Sequence, residues 1–250
     1  MSQNLAYNPD LQANNWPRAQ PRPDWQARWR AQSRQAVLFD LDGTLLDTSA
    51  DLGAVANSLR ADFGLEPLSL DVLRPFTSQG ARGMIFRGLD VSDTDPRYPA
   101  LRETFLSRYQ EHLCVHTQFM PGLEDLVSNI EAAGLPWGIV TNKFSRFTTP
   151  LVAALGLTPR MAVCVSGDTT AHAKPHPAPL LHACSQIDLP PEAVVYVGDD
   201  RRDIQSGFNA GCFTVAVNFG FGSVGEPLHQ WGADAIVEDA QALTTILLAT

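Results

Sequence analysis

The sequence predicts an α/β fold in which helices cover both faces of a parallel sheet. Short runs rich in Val and Ile recur from residue 36 onward, and longer segments with apolar residues at helical spacing separate the later runs. Strands that alternate with helices in this way are typical of parallel sheets. A long interval without a convincing strand follows the first run, and it predicts a helical insertion.

Residues 1–35 are a polar N-terminal extension that we expect to be disordered. They contain ten Asn or Gln residues and four Pro residues, and their apolar residues follow no regular period. Trp25 and Trp29 lie four residues apart, so a short helix docked on the rest of the protein is the alternative.

Residues 36–50 and 120–250 are predicted to form the α/β core, a Rossmann-like sheet with helices on both faces. The predicted strands lie at residues 36–39, 137–140, 162–165, 193–197, 213–217 and 234–237. Segments between the later strands, such as PGLEDLVSNIEAAG and PAPLLHACSQI, have helical periodicity, and the first of them ends in Gly as helices commonly do.

Residues 51–119 are predicted to form an all-helical cap subdomain inserted into the core. They contain only helical stretches, among them GARGMIFRGL and YPALRETFLSRYQEHL. The interval is far longer than a crossover helix needs, so we expect it to fold as a separate unit.

The composition argues against several classes of partner. A formal net charge of −9 argues against nucleic acid, whose phosphates require a basic surface. No segment approaches the run of about 18 apolar residues that crosses a bilayer, and the polar N-terminus lacks the apolar core of a secretory signal. We therefore expect a cytoplasmic protein that binds neither nucleic acid nor a membrane. Its four Cys residues are scattered singly, which predicts reduced thiols.

Polar residues follow the predicted strands at their carboxyl ends, where open α/β sheets bind ligands. Asp40 follows the first strand, Thr141 and Asn142 follow the second, and Asp199 and Asp200 follow the run AVVYVG. Caps and turns are the alternative for these polar residues, since Thr, Asn and Asp favour both.

Both lysines of the chain also fall near these strand ends. The sequence has sixteen Arg but only Lys143 and Lys174, which indicates that the two lysines have specific roles. A chance survival of two lysines in an Arg-rich chain is the alternative, and it is more plausible for Lys143, as a surface cation, than for Lys174.

The paired carboxylates Asp40 and Asp42 predict a metal and a nucleophile. Carboxylates that converge at one edge repel one another unless a cation lies among them, and Mg²⁺ prefers such oxygen ligands. A metal, a Lys ammonium and a Thr hydroxyl in one pocket describe a phosphate-binding site, where an Asp is able to form an aspartyl phosphate. Turn residues are the alternative, although two Asp residues that flank a buried Leu make a costly turn.

Four motifs resemble those of phosphatases in the haloacid dehalogenase superfamily. DLDGT at residues 40–44 matches the first motif, Thr141 the second, Lys174 the third and GDDRRD at residues 198–203 the fourth. All four occur in the order and spacing of the family over residues 36–240. The resemblance implies a phosphoric monoester hydrolase that uses Mg²⁺ and acts on a small phosphorylated metabolite.

The resemblance also implies a role for each motif residue. Asp40 would attack phosphorus, and Asp42 would protonate the leaving alcohol and then deprotonate the hydrolytic water. Mg²⁺ would be bound by Asp40, the carbonyl of Asp42 and Asp199. The phosphoryl oxygens would be held by Thr141, Asn142 and Lys174. Asp200 and Asp203 would support the metal ligands through hydrogen bonds.

The predicted cap is expected to select the substrate, because a lid that closes over the site contacts the leaving group and excludes water. The expected contact loop is FTSQGARGM at residues 76–84, in which Ser78, Gln79, Gly80 and Arg82 are able to address hydroxyls or a carboxylate. A solvated Arg at the start of a helix is the alternative for Arg82.

The stretches DGTLLDTSADL, GIVTNK and KPHPAPLL are most similar to the phosphoglycolate phosphatase group of the superfamily, which makes phosphoglycolate the expected substrate. RYQEHLCV, WGIVTNK and LLHACSQI also resemble the N-acetylmuramic acid 6-phosphate phosphatases of bacterial cell-wall recycling, which act on the alternative substrate. A sugar phosphomutase is a less favoured alternative, since such enzymes keep the same Asp pair.

Overall fold

Eight strands occur in the computed structural model, which describes residues 18–33, 35–222 and 227–248. They are β1 Ala36–Phe39, β2 Leu46–Asp47, β3 Gln118–Phe119, β4 Trp137–Val140, β5 Val163–Val165, β6 Val194–Gly198, β7 Phe213–Val217 and β8 Ala235–Val237. Six of them form one parallel sheet in the order β5-β4-β1-β6-β7-β8. Each of these six coincides with a predicted run to within one residue at either end, so the predicted α/β fold is confirmed.

Helices cover both faces of this sheet. They are α1 Trp25–Arg30, α2 Ser49–Asp62, α3 Leu70–Leu73, α4 Gly80–Leu89, α5 Tyr98–Glu111, α6 Leu123–Ala132, α7 Ser145–Ala154, α8 Ala178–Gln186, α9 Arg201–Ala210 and α10 Ala240–Leu248. Along β1, Val37 and Phe39 join one apolar cluster while Ala36 and Leu38 join another, because successive side chains of a strand point to opposite faces. Among the helices of the described residues, none combines the length and the apolar character that crossing a bilayer requires.

The register of the sheet brings the predicted site residues to one edge. Phe39, the last residue of β1, pairs with Ile139 on β4 and with Val197 on β6. The residues that follow these three strands therefore leave the sheet side by side, in the position where parallel sheets bind ligands.

Helices α2 to α5 pack on one another in the span where the sequence predicts an insertion. Their buried residues, such as Leu59, Met84 and Phe105, form an apolar cluster separate from those of the sheet. The chain enters this helical span after β2 and leaves it at β3. These two strands form an antiparallel pair, in which Leu46 lies opposite Phe119. These two-residue strands were not predicted, because they are too short to produce a period in the sequence.

The prediction of disorder is wrong for residues 18–33. Trp25 and Trp29 of α1 are 4% and 1% exposed, and the indole Nε1 of Trp29 donates to the carbonyl of Ala193 at 3.0 Å. Arg22 holds the same segment through a bidentate ion pair with Asp234 at 2.5 and 2.8 Å. Two large aromatic side chains one helical turn apart bury enough apolar surface to dock an otherwise polar segment. Within the predicted extension, residues 1–17 and 34 lie outside the described residues.

Candidate active site

Lys174 connects the carboxylates of two different motifs. Its Nζ lies 2.6 Å from Oδ1 of Asp40 and 2.6 Å from Oδ1 of Asp203, and it also donates to the carbonyl of Val140 at 3.0 Å. Burial disfavours the charged lysine, but the adjacent Asp203 and Asp40 outweigh burial and raise the pKa of Lys174. The ammonium is therefore held in its charged form beside Asp40.

Asp40, Asp199 and Asp203 form a buried acidic cluster. Each offers a carboxylate oxygen, and these oxygens lie within 4.8 Å of one another. Burial and the charges of Asp40 and Asp203 raise the pKa of Asp199 well above its ordinary value. Burial also raises the pKa of Asp203, to about 7, against the opposing effect of Lys174. Three carboxylates beside one ammonium leave an excess of negative charge, which a hard divalent cation with oxygen ligands fits.

The surroundings of Asp199 fix its carboxylate in this cluster. Oδ1 accepts from the hydroxyl of Thr44 at 3.1 Å, and Oδ2 accepts from the backbone of Phe221 at 2.8 Å. Gly43 packs against the same carboxylate with φ +88°, and a Cβ at this position would overlap Oδ2 of Asp199. The Gly of the DLDGT motif is thus required both by its left-handed backbone and by the close approach of Asp199.

Asp42 is paired with the second lysine of the chain. Its Oδ1 accepts from Nζ of Lys143 at 2.8 Å and from the hydroxyl of Thr48 at 2.6 Å. The Lys143 side chain is 7% exposed, and its ammonium lies 4.8 Å from the ring centroid of Tyr109. Lys143 is therefore a buried part of the site, a position that the surface-cation interpretation missed. The scarcity of lysine in the sequence had favoured the other interpretation, a specific role for Lys143.

Thr141 and Asn142 follow β4 as predicted, and each has a structural partner. Thr141 is 2% exposed, and its Oγ1 accepts from the backbone N–H of Lys143 at 3.1 Å. The amide of Asn142 accepts from the backbone N–H of Lys174 at 2.9 Å and donates to the Lys174 carbonyl at 3.0 Å. Asn142 therefore holds the loop of Lys174, and contact of this residue with phosphate stays a prediction.

Asp200 and Asp203 begin α9 with a reciprocal capping box. Asp200 accepts from the backbone of Arg202 at 2.8 Å, while Oδ2 of Asp203 accepts from the backbone of Asp200 at 3.0 Å. Asp200 is thus a helix cap, as in the alternative interpretation. Asp203 combines the capping role with a place in the acidic cluster.

The predicted cap loop opens onto the same cavity as the motif residues. The cavity has a volume of about 310 Å³, and its lining from this loop includes Ser78, Gln79, Gly80 and Arg82. Arg82 is largely exposed and lies 3.6 Å from Asp93. Helix α5 also lines the cavity, with residues that the sequence analysis missed: Tyr98, Arg102, Phe105, Leu106 and Tyr109.

Comparison with known proteins identifies the family. A model of the family described as haloacid dehalogenase-like hydrolase matches residues 37–217. The chain belongs to this family, and the predicted membership and enzyme class are confirmed. An N-acetylmuramic acid 6-phosphate phosphatase from Pseudomonas aeruginosa is 44% identical over 85% of this chain and 94% of its own length.

Two further relatives carry a different substrate in their names. A phosphoglycolate phosphatase from Xanthomonas campestris pv. campestris is 41% identical over 84% of this chain and 94% of its own length. The crystal structure of a predicted phosphoglycolate phosphatase from Haemophilus somnus 129pt is similar with a TM-score of 0.73 and 28% identity, over 85% of this chain and 98% of that chain. The names of these relatives therefore give two different substrates, N-acetylmuramic acid 6-phosphate and phosphoglycolate.

Proposed function

We propose that this protein is a Mg²⁺-dependent phosphomonoesterase that acts through an aspartyl phosphate on Asp40. The observation that carries the proposal is that both Asp side chains of the DLDGT motif pair with a lysine at one cavity, Asp40 with Lys174 and Asp42 with Lys143. The relatives described above are named as phosphatases, which supports the same class of reaction.

Asp40 is the proposed nucleophile. Its Oδ1 is held by Lys174, and its Oδ2 makes no hydrogen bond within the described residues. Attack by this carboxylate forms an oxygen–phosphorus bond and breaks the bond between phosphorus and the leaving alcohol. Lys174 and Thr141 then stabilise the negative charge on the phosphoryl oxygens.

Asp42 is the proposed acid and base. It gives its proton to the oxygen of the leaving alcohol, then takes a proton from the water that attacks phosphorus and releases Asp40 as a carboxylate. Lys143 and Thr48 fix the orientation of the Asp42 carboxyl group for both proton transfers.

A divalent cation fits the acidic cluster, and Asp40, the backbone carbonyl of Asp42 and Asp199 are the proposed ligands for Mg²⁺. When bound, the ion would reduce the repulsion between an anionic carboxylate and an anionic phosphate ester. Asp203 would keep its hydrogen bonds to Asp200 and Lys174 and so support the ligands.

For the substrate we place N-acetylmuramic acid 6-phosphate first. The phosphoglycolate expectation rests on motif similarity, and relatives at 41% identity still favour it. The cavity of about 310 Å³ exceeds what a phosphorylated two-carbon acid occupies and falls in the range of about 300–1,000 Å³ that is typical of drug-sized ligands. A relative at 44% identity carries the name of the larger substrate.

The test is phosphate release from both esters, measured side by side with purified protein and Mg²⁺. We expect turnover that EDTA and Asp40→Asn abolish, with a higher kcat/KM for the amino sugar phosphate. Retained turnover in Asp40→Asn would contradict the nucleophile. Preference for phosphoglycolate would reverse the order of the two substrates, and isomerisation of a sugar phosphate without phosphate release would contradict the phosphatase.

A further inference from the structure

Four of the five basic side chains that line the cavity are each paired with a carboxylate. Lys143 pairs with Asp42 and Lys174 with Asp40, while Arg202 pairs with Asp200 and Arg82 with Asp93. The fifth, Arg102, has no carboxylate partner among the residues that the structure describes. The positive charge of Arg102 is therefore the one that the cavity lining leaves for a ligand.

Arg102 lies on the face of α5 that lines the cavity, where its neighbours are apolar. Tyr98, Phe105, Leu106 and Tyr109 share this face, since residues three, four and seven positions apart lie on one side of a helix. The position of Arg102 is not explained by packing, because this half-buried, charged residue lies in a row of aromatic and aliphatic side chains. The forked, permanently charged group matches the geometry of a carboxylate.

One buried hydroxyl in the same lining also lacks a partner among the described residues. Oγ1 of Thr77 is buried without a hydrogen bond to any residue that the structure describes, and Thr77 lines the cavity. Buried polar groups in proteins are nearly always hydrogen-bonded, so an unpartnered hydroxyl indicates that a ligand supplies the missing partner. Thr77 belongs to the helical insertion, as does Arg102.

We propose that Arg102 binds a carboxylate on the leaving group of the substrate, with the hydroxyl of Thr77 as a further hydrogen-bonding group. This inference rests on the proposed function and defines the substrate class as phosphate monoesters whose alcohol also carries a carboxylate. The phosphate would lie at Lys174 on the core, and the carboxylate at Arg102 on the insertion. The assignment places carboxylate recognition on α5, whereas the sequence analysis predicted it for the loop that contains Arg82.

The test compares esters that differ in the carboxylate. N-acetylmuramic acid 6-phosphate is paired with N-acetylglucosamine 6-phosphate, which lacks only the lactyl ether, and 2-phosphoglycolate is paired with ethyl phosphate. We expect the wild type to prefer the acid in at least one pair. Arg102→Gln should reduce this preference, as a ratio of kcat/KM values, by roughly tenfold to a hundredfold, the size expected for the loss of a charged hydrogen-bonded pair. The kcat/KM of the ester without a carboxylate should stay unchanged.

Two further variants control the experiment. Arg102→Lys keeps the charge but loses the fork, so its preference should lie between those of the wild type and Arg102→Gln. Arg87→Gln removes an equal charge from an exposed position of α4 outside the cavity, and it should leave the preference unchanged.

Several outcomes would overturn the role of Arg102. They are equal loss for both members of a pair in Arg102→Gln, an unchanged preference in that variant, or a loss of preference in Arg82→Gln instead. Wild-type protein that hydrolyses both members equally would also overturn it, even if the Arg102 variants did not fold. In each of these cases the proposed phosphatase stands. Failure of the wild type to release phosphate from any of the esters would instead contradict the proposed function.

Discussion

Nζ of Lys143 lies 2.8 Å from Oδ1 of Asp42, in a contact that the ring of Tyr109 covers from the helical insertion. The ion pair joins two parts of the core. Lys143 follows Thr141 and Asn142, and Asp42 is the second Asp of the DLDGT motif. Because Tyr109 belongs to α5, the ammonium also connects the proposed acid to the wall of the substrate cavity. Orientation of Asp42 therefore depends on the core and on the insertion together.

Replacing Lys143 should impair proton transfer more than phosphoryl binding. Lys143→Met removes a charged hydrogen bond of about 1.5–3 kcal/mol from Asp42, so we expect kcat to fall by roughly tenfold to a hundredfold. In kcat/KM, which covers only the formation of the aspartyl phosphate, the loss should be large for sugar phosphates, whose leaving alcohol needs a proton, and small for p-nitrophenyl phosphate, whose leaving group needs little protonation. Lys143→Arg, which keeps a donor, is the matched control. Equal loss for both kinds of ester would show that Lys143 does not act through Asp42.

The sequence was sufficient to predict the sheet and the residues at its edge, because both depend on local signals. Runs such as AVLF and WGIV are buried on both faces and are therefore continuously apolar, and the residues that follow parallel strands meet at one edge. Lys143 could not be placed in the same way. Its environment depends on Tyr109, which lies in a different unit of the fold, so no local pattern indicates where its side chain ends.

The docked helix α1 was the less favoured alternative in the sequence for a related reason. Asn, Gln and Pro dominate residues 1–35, and composition alone favours disorder. The energy that orders residues 18–33 comes from contacts with distant parts of the chain, such as Trp25 with Phe213 and Arg22 with Asp234. Periodicity within one segment does not report such contacts.

Mg²⁺ should stabilise the folded protein, and more so at higher pH. A carboxyl whose pKa is higher in the folded protein holds its proton only when folded, between its ordinary and its raised value, so the free energy of unfolding falls as pH rises through that interval. For Asp203 the interval runs from 3.8 to about 7, and Asp199 is shifted in the same direction. Bound Mg²⁺ would replace these protons, so its stabilising effect should be larger at pH 8 than at pH 6.

Thermal unfolding with EDTA or MgCl₂ at pH 6, 7 and 8 measures this effect. At a concentration near 100 times its Kd, an ion adds about 2.7 kcal/mol, which corresponds to a rise in Tm of roughly 5–10 °C for a chain of this size. Asp199→Asn should lose most of the response to Mg²⁺. An equal shift in Tm at all three pH values, or none, would contradict the assignment of the acidic cluster as the metal site.

Trp29 should contribute to stability without contributing to turnover. It is 1% exposed and packs in the main apolar cluster of the sheet, yet it does not line the cavity. Trp29→Ala should lower the free energy of unfolding in urea by about 3–5 kcal/mol. The half-exposed Gln26 lies on the same helix, and Gln26→Ala should change the free energy of unfolding by no more than about 0.5 kcal/mol. A small loss in Trp29→Ala, or a fall in kcat of its folded fraction, would argue against a purely structural docking of α1.

Asn142 should act through Lys174 rather than through direct contact with phosphate. Both polar atoms of its amide are hydrogen-bonded to the backbone of Lys174, so Asn142→Ala should release the loop that places the ammonium beside Asp40. Two lost hydrogen bonds of about 1 kcal/mol each predict a fall in the affinity for inorganic phosphate of roughly tenfold or somewhat more.

A double-mutant cycle on inorganic phosphate affinity, measured by calorimetry, separates the two roles of Asn142. If Asn142 acts through Lys174, then Asn142→Ala should cost little in a protein that already carries Lys174→Met, because the ammonium that it positions is absent. If its amide binds phosphate directly, the two losses should add. Additive losses would thus support the prediction from the sequence that Asn142 is a phosphate ligand, whereas strong coupling would make it a positioning residue for Lys174.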